Sequence, residues 1–129
     1  MLLYVALGSA IGGVSRYLLG GLVQRMLDTT FPAGTLLVNV SGSFLLGAII
    51  RYALETPSLT PEIRAFMTIG ICGGYTTFST FSYEAVALLE DGEWGRAGIY
   101  ITASVILSLM GTFLGFALAS QVIVWRGHL

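Results

Sequence analysis

The chain has 129 residues, of which 55% are hydrophobic and only 10% are charged, and its formal net charge is −1. Ordinary soluble domains carry about 25% charged residues, so this composition argues against a soluble domain. Its 6 basic residues are too few to form the basic patch that binds nucleic acid, and we expect no nucleic-acid partner.

Long uncharged runs cover most of the chain. Residues 29–50, 65–83 and 97–125 carry no charge, and residues 1–24 carry only Arg16. Because about 20 apolar residues cross a bilayer core, these runs predict an all-α membrane protein with four transmembrane helices. We expect one integral membrane domain over residues 1–129, with spans at about 2–26, 34–54, 61–90 and 95–124.

The first predicted span carries small residues on one helix face. Gly8, Gly12, Arg16 and Gly20 recur at four-residue spacing, which lets another helix approach closely along that face. A charge facing lipid is costly, so Arg16 must face protein or water. Two interpretations stay open: Arg16 attracts anions at a pore mouth or vestibule, or it binds backbone carbonyls at an interface.

The second predicted span places Asn39, Ser43 and Gly47 on one helix face. A buried amide in a membrane needs hydrogen-bond partners. Asn39 is therefore either a group that bonds two helices together or a donor that faces a pore.

The third predicted span contains a poor helix former, the stretch Gly70–Glu84. Three glycines stand within five positions, and hydroxyl side chains alternate with Phe78 and Phe81 behind them. This pattern predicts a backbone break near the middle of the span. Broken backbone at membrane depth is tolerated only where protein buries it or it lines a polar cavity, so this stretch is the first candidate for an ion path. Glu84 follows Phe81 by three residues.

The fourth predicted span repeats a hydroxyl every four residues, at Tyr100, Ser104, Ser108 and Thr112. Such a stripe is either a polar track or a set of hydroxyls bonded to carbonyls one turn earlier. The single Cys72 allows no intramolecular disulfide.

The arginines near the span ends show almost no bias between the two membrane sides. Arg51, Arg64 and Arg126 fall on one predicted side, and Arg25 and Arg96 fall on the other. The positive-inside rule therefore barely selects an orientation. Together with the glycine stripes, which we take to indicate partner helices, this suggests a homodimer whose two copies are antiparallel.

The candidate lining combines hydroxyls, one amide and phenyl rings. These groups offer hydrogen-bond donors and positive ring edges to an anion without a full counter-charge. The sequence has no spacing typical of a metal cluster, a nucleophilic triad or a phosphate loop, so we expect no enzyme. The alternative is a small dual-topology, proton-coupled multidrug exporter. Such a carrier needs an acid in its first span, where this chain has Arg16 instead.

Three segments resemble the Fluc/CrcB family of fluoride channels: GGYTTFSTFSYE (Gly73–Glu84), GTLLVNVSGSFLLG (Gly34–Gly47) and GGVSRY (Gly12–Tyr17). The resemblance implies a passive, fluoride-selective channel in the cell (inner or plasma) membrane that exports cytoplasmic fluoride and lowers its toxicity. It also implies an antiparallel, dual-topology homodimer with two pores, each lined by both subunits.

The resemblance further implies roles for individual residues. Phe78 and Phe81 would meet fluoride with their ring edges, and Asn39 would be the pore asparagine. The other implied pore residues are Thr80, Glu84, Tyr100, Ser104, Ser108 and Thr112. The backbone carbonyls of Gly73 and Thr76 would hold a structural sodium ion at the dimer interface, and Arg16 would shape an anion vestibule.

Overall fold

The computed structural model of this chain describes residues 1–128, and within that range it is helical without any strand. Its elements are α1 (Leu2–Leu27), α2 (Ala33–Leu54), α3 (Pro61–Ala65), a π-helical segment (Phe66–Cys72), α4 (Gly73–Tyr75), α5 (Phe78–Glu90) and α6 (Trp94–Gly127).

Three of these helices, α1, α2 and α6, are long and apolar enough to cross a membrane. They correspond to the spans predicted at 2–26, 34–54 and 95–124, and α6 continues to Gly127. The span predicted at 61–90 is divided among α3, the π-helical segment, α4 and α5. We refer to residues 61–90 as the third span, in chain order, and their passage through the membrane stays a prediction.

The break in the third span lies at Thr76 and Thr77. Both residues have extended backbone, with φ −81° and ψ 158° at Thr76 and φ −150° and ψ 119° at Thr77. The Thr77 hydroxyl oxygen caps α5 by accepting the Thr80 N–H at 3.2 Å, which satisfies an amide that the helix start leaves free. The break therefore falls inside the predicted stretch, but it follows the glycines, which remain helical.

The glycines of the third span serve close packing against α1. A Cβ added at Gly8 would lie 2.5 Å from the Phe66 carbonyl oxygen, and one added at Gly70 would lie 2.8 Å from the Gly8 Cα. No side chain fits between these backbones. Small residues at a membrane helix interface permit this approach, and their packing outweighs the low helix propensity on which the sequence argument relied.

The glycine stripe of α1 is therefore used within the chain. Gly8 and Gly12 are buried against the third span, and Gly20 lies beside Gly34 of α2. The expectation that this stripe indicates helices of a partner is corrected accordingly, because the neighbours that it needs are already present in the same chain.

We expect Gly70→Ala to destabilise the protein by about 1–3 kcal/mol, the usual effect of overpacking a tight contact. The new methyl group would meet backbone atoms, which do not move as a flexible side chain does. Gly98→Ala on α6 is the matched control, since a Cβ there has no neighbour within 4 Å. The melting temperatures of the two variants in detergent are compared, with gel filtration after heating as the measure of folded protein. Equal melting temperatures for both variants would contradict the packing argument.

The remaining packing positions the site. Helix α2 makes its most extensive contact with α6, and α5 packs against the first half of α6. A hydrophobic cluster lies between α2, α5, α6 and the loop that joins α1 to α2. Its members are Phe31, Leu36, Phe81, Ala85, Leu88, Leu89, Ala97 and Tyr100.

Candidate functional site

Asn39 joins α2 to the break in the third span. Its Nδ2 donates to the Thr77 carbonyl at 2.9 Å, and the Thr77 N–H donates to its Oδ1 at 2.7 Å. These two bonds satisfy the N–H and the carbonyl of Thr77, which has extended backbone and whose N–H therefore lacks a helical hydrogen-bond partner. The bond between helices, one of the two interpretations of Asn39, is therefore present in the structure. The other interpretation, a donor that faces a pore, stays a prediction. One Nδ2 hydrogen is left over, because the amide nitrogen carries two.

Tyr75 makes a second connection between α2 and the break. Its hydroxyl lies 2.9 Å from the Ser41 hydroxyl, which donates to the Val38 carbonyl at 3.2 Å. Because the Ser41 hydrogen is used in that bond, Tyr75 donates to Ser41. No role was predicted from the sequence for either residue. The position of Tyr75 directly before the break could have indicated this contact, because a buried tyrosine hydroxyl needs a polar partner.

A cavity of about 360 Å³ lies beside the break, and we refer to it as the break cavity. Its wall comes from α2, the break, α5 and α6. The lining residues are Asn39, Ser43, Leu46, Thr76, Thr77, Phe78, Phe81, Ser104, Val105, Ser108, Leu109 and Thr112. The structure thus brings together six of the predicted site residues that lie far apart in the sequence: Asn39, Phe78, Phe81, Ser104, Ser108 and Thr112. Thr76, predicted from its carbonyl only, also borders this cavity.

The hydroxyls of α6 differ in their bonding. Ser104 Oγ is the buried side-chain polar atom that lacks a hydrogen-bond partner within residues 1–128, and the residue is 6% exposed. Thr112 instead lies within hydrogen-bond reach of the Ser108 carbonyl, 3.2 Å away, and the Ser43 carbonyl, 3.4 Å away. Bonding to a carbonyl one turn earlier therefore applies to Thr112, whereas the hydroxyl of Ser104, a residue of the cavity wall, has no partner within residues 1–128.

The two phenylalanines lie next to each other at this wall. The ring centroids of Phe78 and Phe81 are 5.6 Å apart with an interplanar angle of 56°. Phe81 also packs edge-on against Tyr100, with centroids 5.3 Å apart. Phe78 is 80% exposed, so its ring has little support from this chain.

A second cavity, of about 590 Å³, also borders the break and is called the vestibule cavity here. Thr77 borders both cavities. The lining residues are Gly13, Arg16, Tyr17, Gly20, Gly21, Gln24, Thr30, Pro32, Gly34, Thr35, Val38, Thr77, Thr80 and Glu84. The predicted site residues Arg16, Thr80 and Glu84 are therefore separated from the break cavity.

Glu84 is held by two hydroxyl donors. Its carboxylate accepts Thr35 Oγ1 at 2.7 Å and the Tyr100 hydroxyl at 2.9 Å. Tyr100 is fully buried and lines neither cavity, although it shares a helix stripe with Ser104. Arg16 forms no salt bridge within residues 1–128, so its charge remains available at the vestibule cavity.

The break also removes the helical partners of two carbonyls. In a continuous helix the Thr77 N–H would bond to the Gly73 carbonyl, but it donates to Asn39 instead. The Thr80 N–H would bond to the Thr76 carbonyl, but it donates to the Thr77 hydroxyl. These are the two carbonyls that the resemblance relates to sodium. Freed carbonyl oxygens suit a hard cation.

Comparison with known proteins identifies the family. The family model described as CrcB-like protein, Camphor Resistance (CrcB), matches residues 3–116. The chain is 50% identical to a protein of Geobacter sulfurreducens named fluoride-specific ion channel FluC, over 94% of this chain and 98% of that one. Similar proteins of the same name come from Thermus thermophilus, 48% identical, and Rhizobium meliloti, 44% identical. Those alignments cover 94% and 95% of this chain and 96% and 98% of the relatives. The chain therefore belongs to the CrcB family.

Proposed function

We propose that this protein is a fluoride-selective channel through which fluoride leaves the cytoplasm passively. The single observation that carries the proposal is the unpartnered, buried hydroxyl of Ser104, a residue that lines the break cavity together with Phe78 and Phe81. An unpartnered buried donor is unfavourable unless a ligand accepts its hydrogen bond. The names of the relatives, all fluoride-specific ion channels, specify which ligand.

The chemistry of the break cavity favours a small anion that accepts strong hydrogen bonds. Ser104 and the leftover Asn39 hydrogen donate, and the phenyl rings present positive edges. Among residues 1–128, no carboxylate or arginine lines this cavity. Without a full counter-charge the anion binds favourably but is not trapped, which rapid passage requires. The activity is passage of an ion with no covalent step, so the protein is not an enzyme.

Arg16 at the vestibule cavity would draw anions toward the break, and the cavity residues Thr35, Thr77, Thr80 and Glu84 would border their route. Tyr100 would act on this route by holding the Glu84 carboxylate. We place the channel in the cell's inner or plasma membrane, where export would lower fluoride toxicity. The exporter alternative has less support, because its carrier mechanism needs an acid in the first span and the relatives are named as channels.

The working unit that we propose is an antiparallel homodimer with two pores, each lined by both subunits. Two observations support a second copy. Phe78 and Tyr83 on α5 are 80% and 75% exposed, and Ser79 and Ser82 are exposed beside them. Hydroxyls facing lipid are unfavourable, so this face needs protein or water next to it. The nearly equal arginine distribution permits both orientations.

A structural sodium ion at the dimer interface is part of the proposal. The Gly73 and Thr76 carbonyls would be its ligands, since the break diverts the amides that would otherwise bond to them. Oxygen ligands satisfy a hard cation, and its charge would hold the two broken spans together.

Radioactive sodium should stay with the purified protein through gel filtration in sodium-free buffer, because a structural ion at a buried interface exchanges slowly. Thr76→Val should retain it equally, since this change removes the hydroxyl, which donates to the Cys72 carbonyl at 3.0 Å, and keeps the proposed ligand. Rapid loss of sodium from the unaltered protein would contradict a structural role.

The proposed function is tested by ion efflux from liposomes that contain the purified protein. We expect rapid fluoride loss, little chloride loss and no requirement for a proton gradient, measured with ion-selective electrodes. Protein-free liposomes are the control. Absence of fluoride efflux from folded dimers would refute the channel, and proton-dependent export of organic cations would then establish the alternative.

A further inference from the structure

We propose that Gln24 and Phe31 are positioning residues, which hold Tyr100 and, through its ring, Phe81 in the place that ion passage requires. The inference rests on the proposed channel function, since it concerns the same path. Gln24 lies at the vestibule cavity, and Phe31 lines neither cavity. The effect of Phe31 on the ion is therefore transmitted through other side chains.

The Gln24 amide fixes the loop between α1 and α2. Its Nε2 donates to the Thr29 carbonyl at 2.6 Å and to the Phe31 carbonyl at 2.9 Å, and its Oε1 accepts the Gly34 N–H at 3.1 Å. The Pro32 cap of α2 supplies no side-chain bond to the helix start. Gln24 therefore satisfies an amide at the start of α2 that would otherwise be free, and ties the loop to both helices.

The loop held in this way carries Phe31 into the hydrophobic cluster. The Phe31 ring packs edge-on against Tyr100, with centroids 5.6 Å apart and an interplanar angle of 78°. The next contacts are Tyr100 with Phe81 at 5.3 Å and Phe81 with Phe78 at 5.6 Å. Four rings thus form a continuous series from the loop to the break cavity.

Tyr100 transmits the position of the loop because it is fully buried between two rings. Phe31 lies on one side and Phe81 on the other, and the hydroxyl is bonded to Glu84. Interiors are close-packed, so removing one ring lets its neighbour shift. Loss of Phe31 would release Tyr100, and Phe81 would lose the support that holds its ring at the cavity wall.

The test compares Gln24→Met, Phe31→Leu, their double variant and Phe31→Tyr in liposomes, at equal amounts of folded dimer. Gln121→Met is the matched control, because Gln121 is exposed on α6. We expect fluoride efflux to fall about tenfold in Phe31→Leu, the effect of losing one aromatic pair, with a smaller fall in Gln24→Met. The double variant should be no worse than Phe31→Leu, since both changes release the same ring. Phe31→Tyr should remain near the unaltered rate, and chloride exclusion should weaken in the impaired variants.

A readout that does not depend on ion passage completes the experiment. Fluorine NMR of 4-fluorophenylalanine incorporated in place of Phe81 should show a changed chemical shift in Phe31→Leu and Gln24→Met, and none in Gln121→Met. Unchanged chemical shifts in both variants would overturn the inference, whether or not the liposomes release fluoride. Absence of fluoride efflux from the unaltered protein would refute the channel instead. Unchanged efflux and selectivity in variants of an active channel would overturn the inference and leave the channel intact.

Discussion

Phe81→Ile should reduce fluoride efflux by about 100-fold, because two aromatic pairs are lost together at up to about 1.5 kcal/mol each. The Phe81 ring packs on both Phe78 and Tyr100, and it lines the break cavity. Isoleucine retains bulk and hydrophobicity but has no positive ring edge for an anion. The measurement is initial fluoride efflux from liposomes with equal amounts of folded protein.

Phe113→Ile is the control for this prediction, since Phe113 is 72% exposed on α6 and lines neither of the two cavities. Phe78→Ile should also impair efflux, because its ring borders the same cavity. Unaltered efflux in both Phe78→Ile and Phe81→Ile would remove the phenylalanines from the ion path.

The second large effect is expected at Asn39. Asn39→Asp keeps the oxygen that accepts the Thr77 N–H, but it loses the donor to the Thr77 carbonyl and adds a negative charge at the break cavity. An unsatisfied buried group costs about 1–3 kcal/mol, so the fold weakens by that amount. The charge also repels the anion, and fluoride efflux should fall below detection.

Asn39→Leu separates the two causes of that loss. It removes both hydrogen bonds to Thr77 without adding charge. If the bonds to the break are essential, efflux falls in Asn39→Leu as well, together with the melting temperature. Normal efflux in Asn39→Leu and none in Asn39→Asp would assign the effect to charge alone. Normal efflux in both would show that Asn39 is dispensable.

The sequence was sufficient to predict the three long helices and the region of the break. Apolar runs gave α1, α2 and α6 nearly to the residue, because the bilayer constrains their length and composition. The break was placed within Gly70–Glu84, but the extended residues are Thr76 and Thr77. Propensity could not locate them, since the glycines that weaken a helix in isolation are stabilised here by the close approach of α1.

The division of the polar residues between two cavities could not be predicted. Helical spacing shows which side chains share a face of a helix, but it does not show which other element packs against each of those side chains. Tyr100 and Ser104 share a stripe of α6, yet their surroundings differ. The Tyr100 hydroxyl is bonded to Glu84, whereas Ser104 lines the break cavity and its hydroxyl has no partner within residues 1–128. Thr35 and Glu84 are 49 residues apart, so their bond has no local sequence signal.

The glycine contact between α1 and the third span has a consequence for biogenesis. Because this interface is completed inside one polypeptide, the contact between α1 and the third span needs no second copy in order to form. In the antiparallel homodimer proposed above, pairing would then be a separate encounter between molecules that diffuse in the bilayer, one inserted in each direction. The yield of active channel would therefore depend on expression level, because copies of opposite orientation would have to meet.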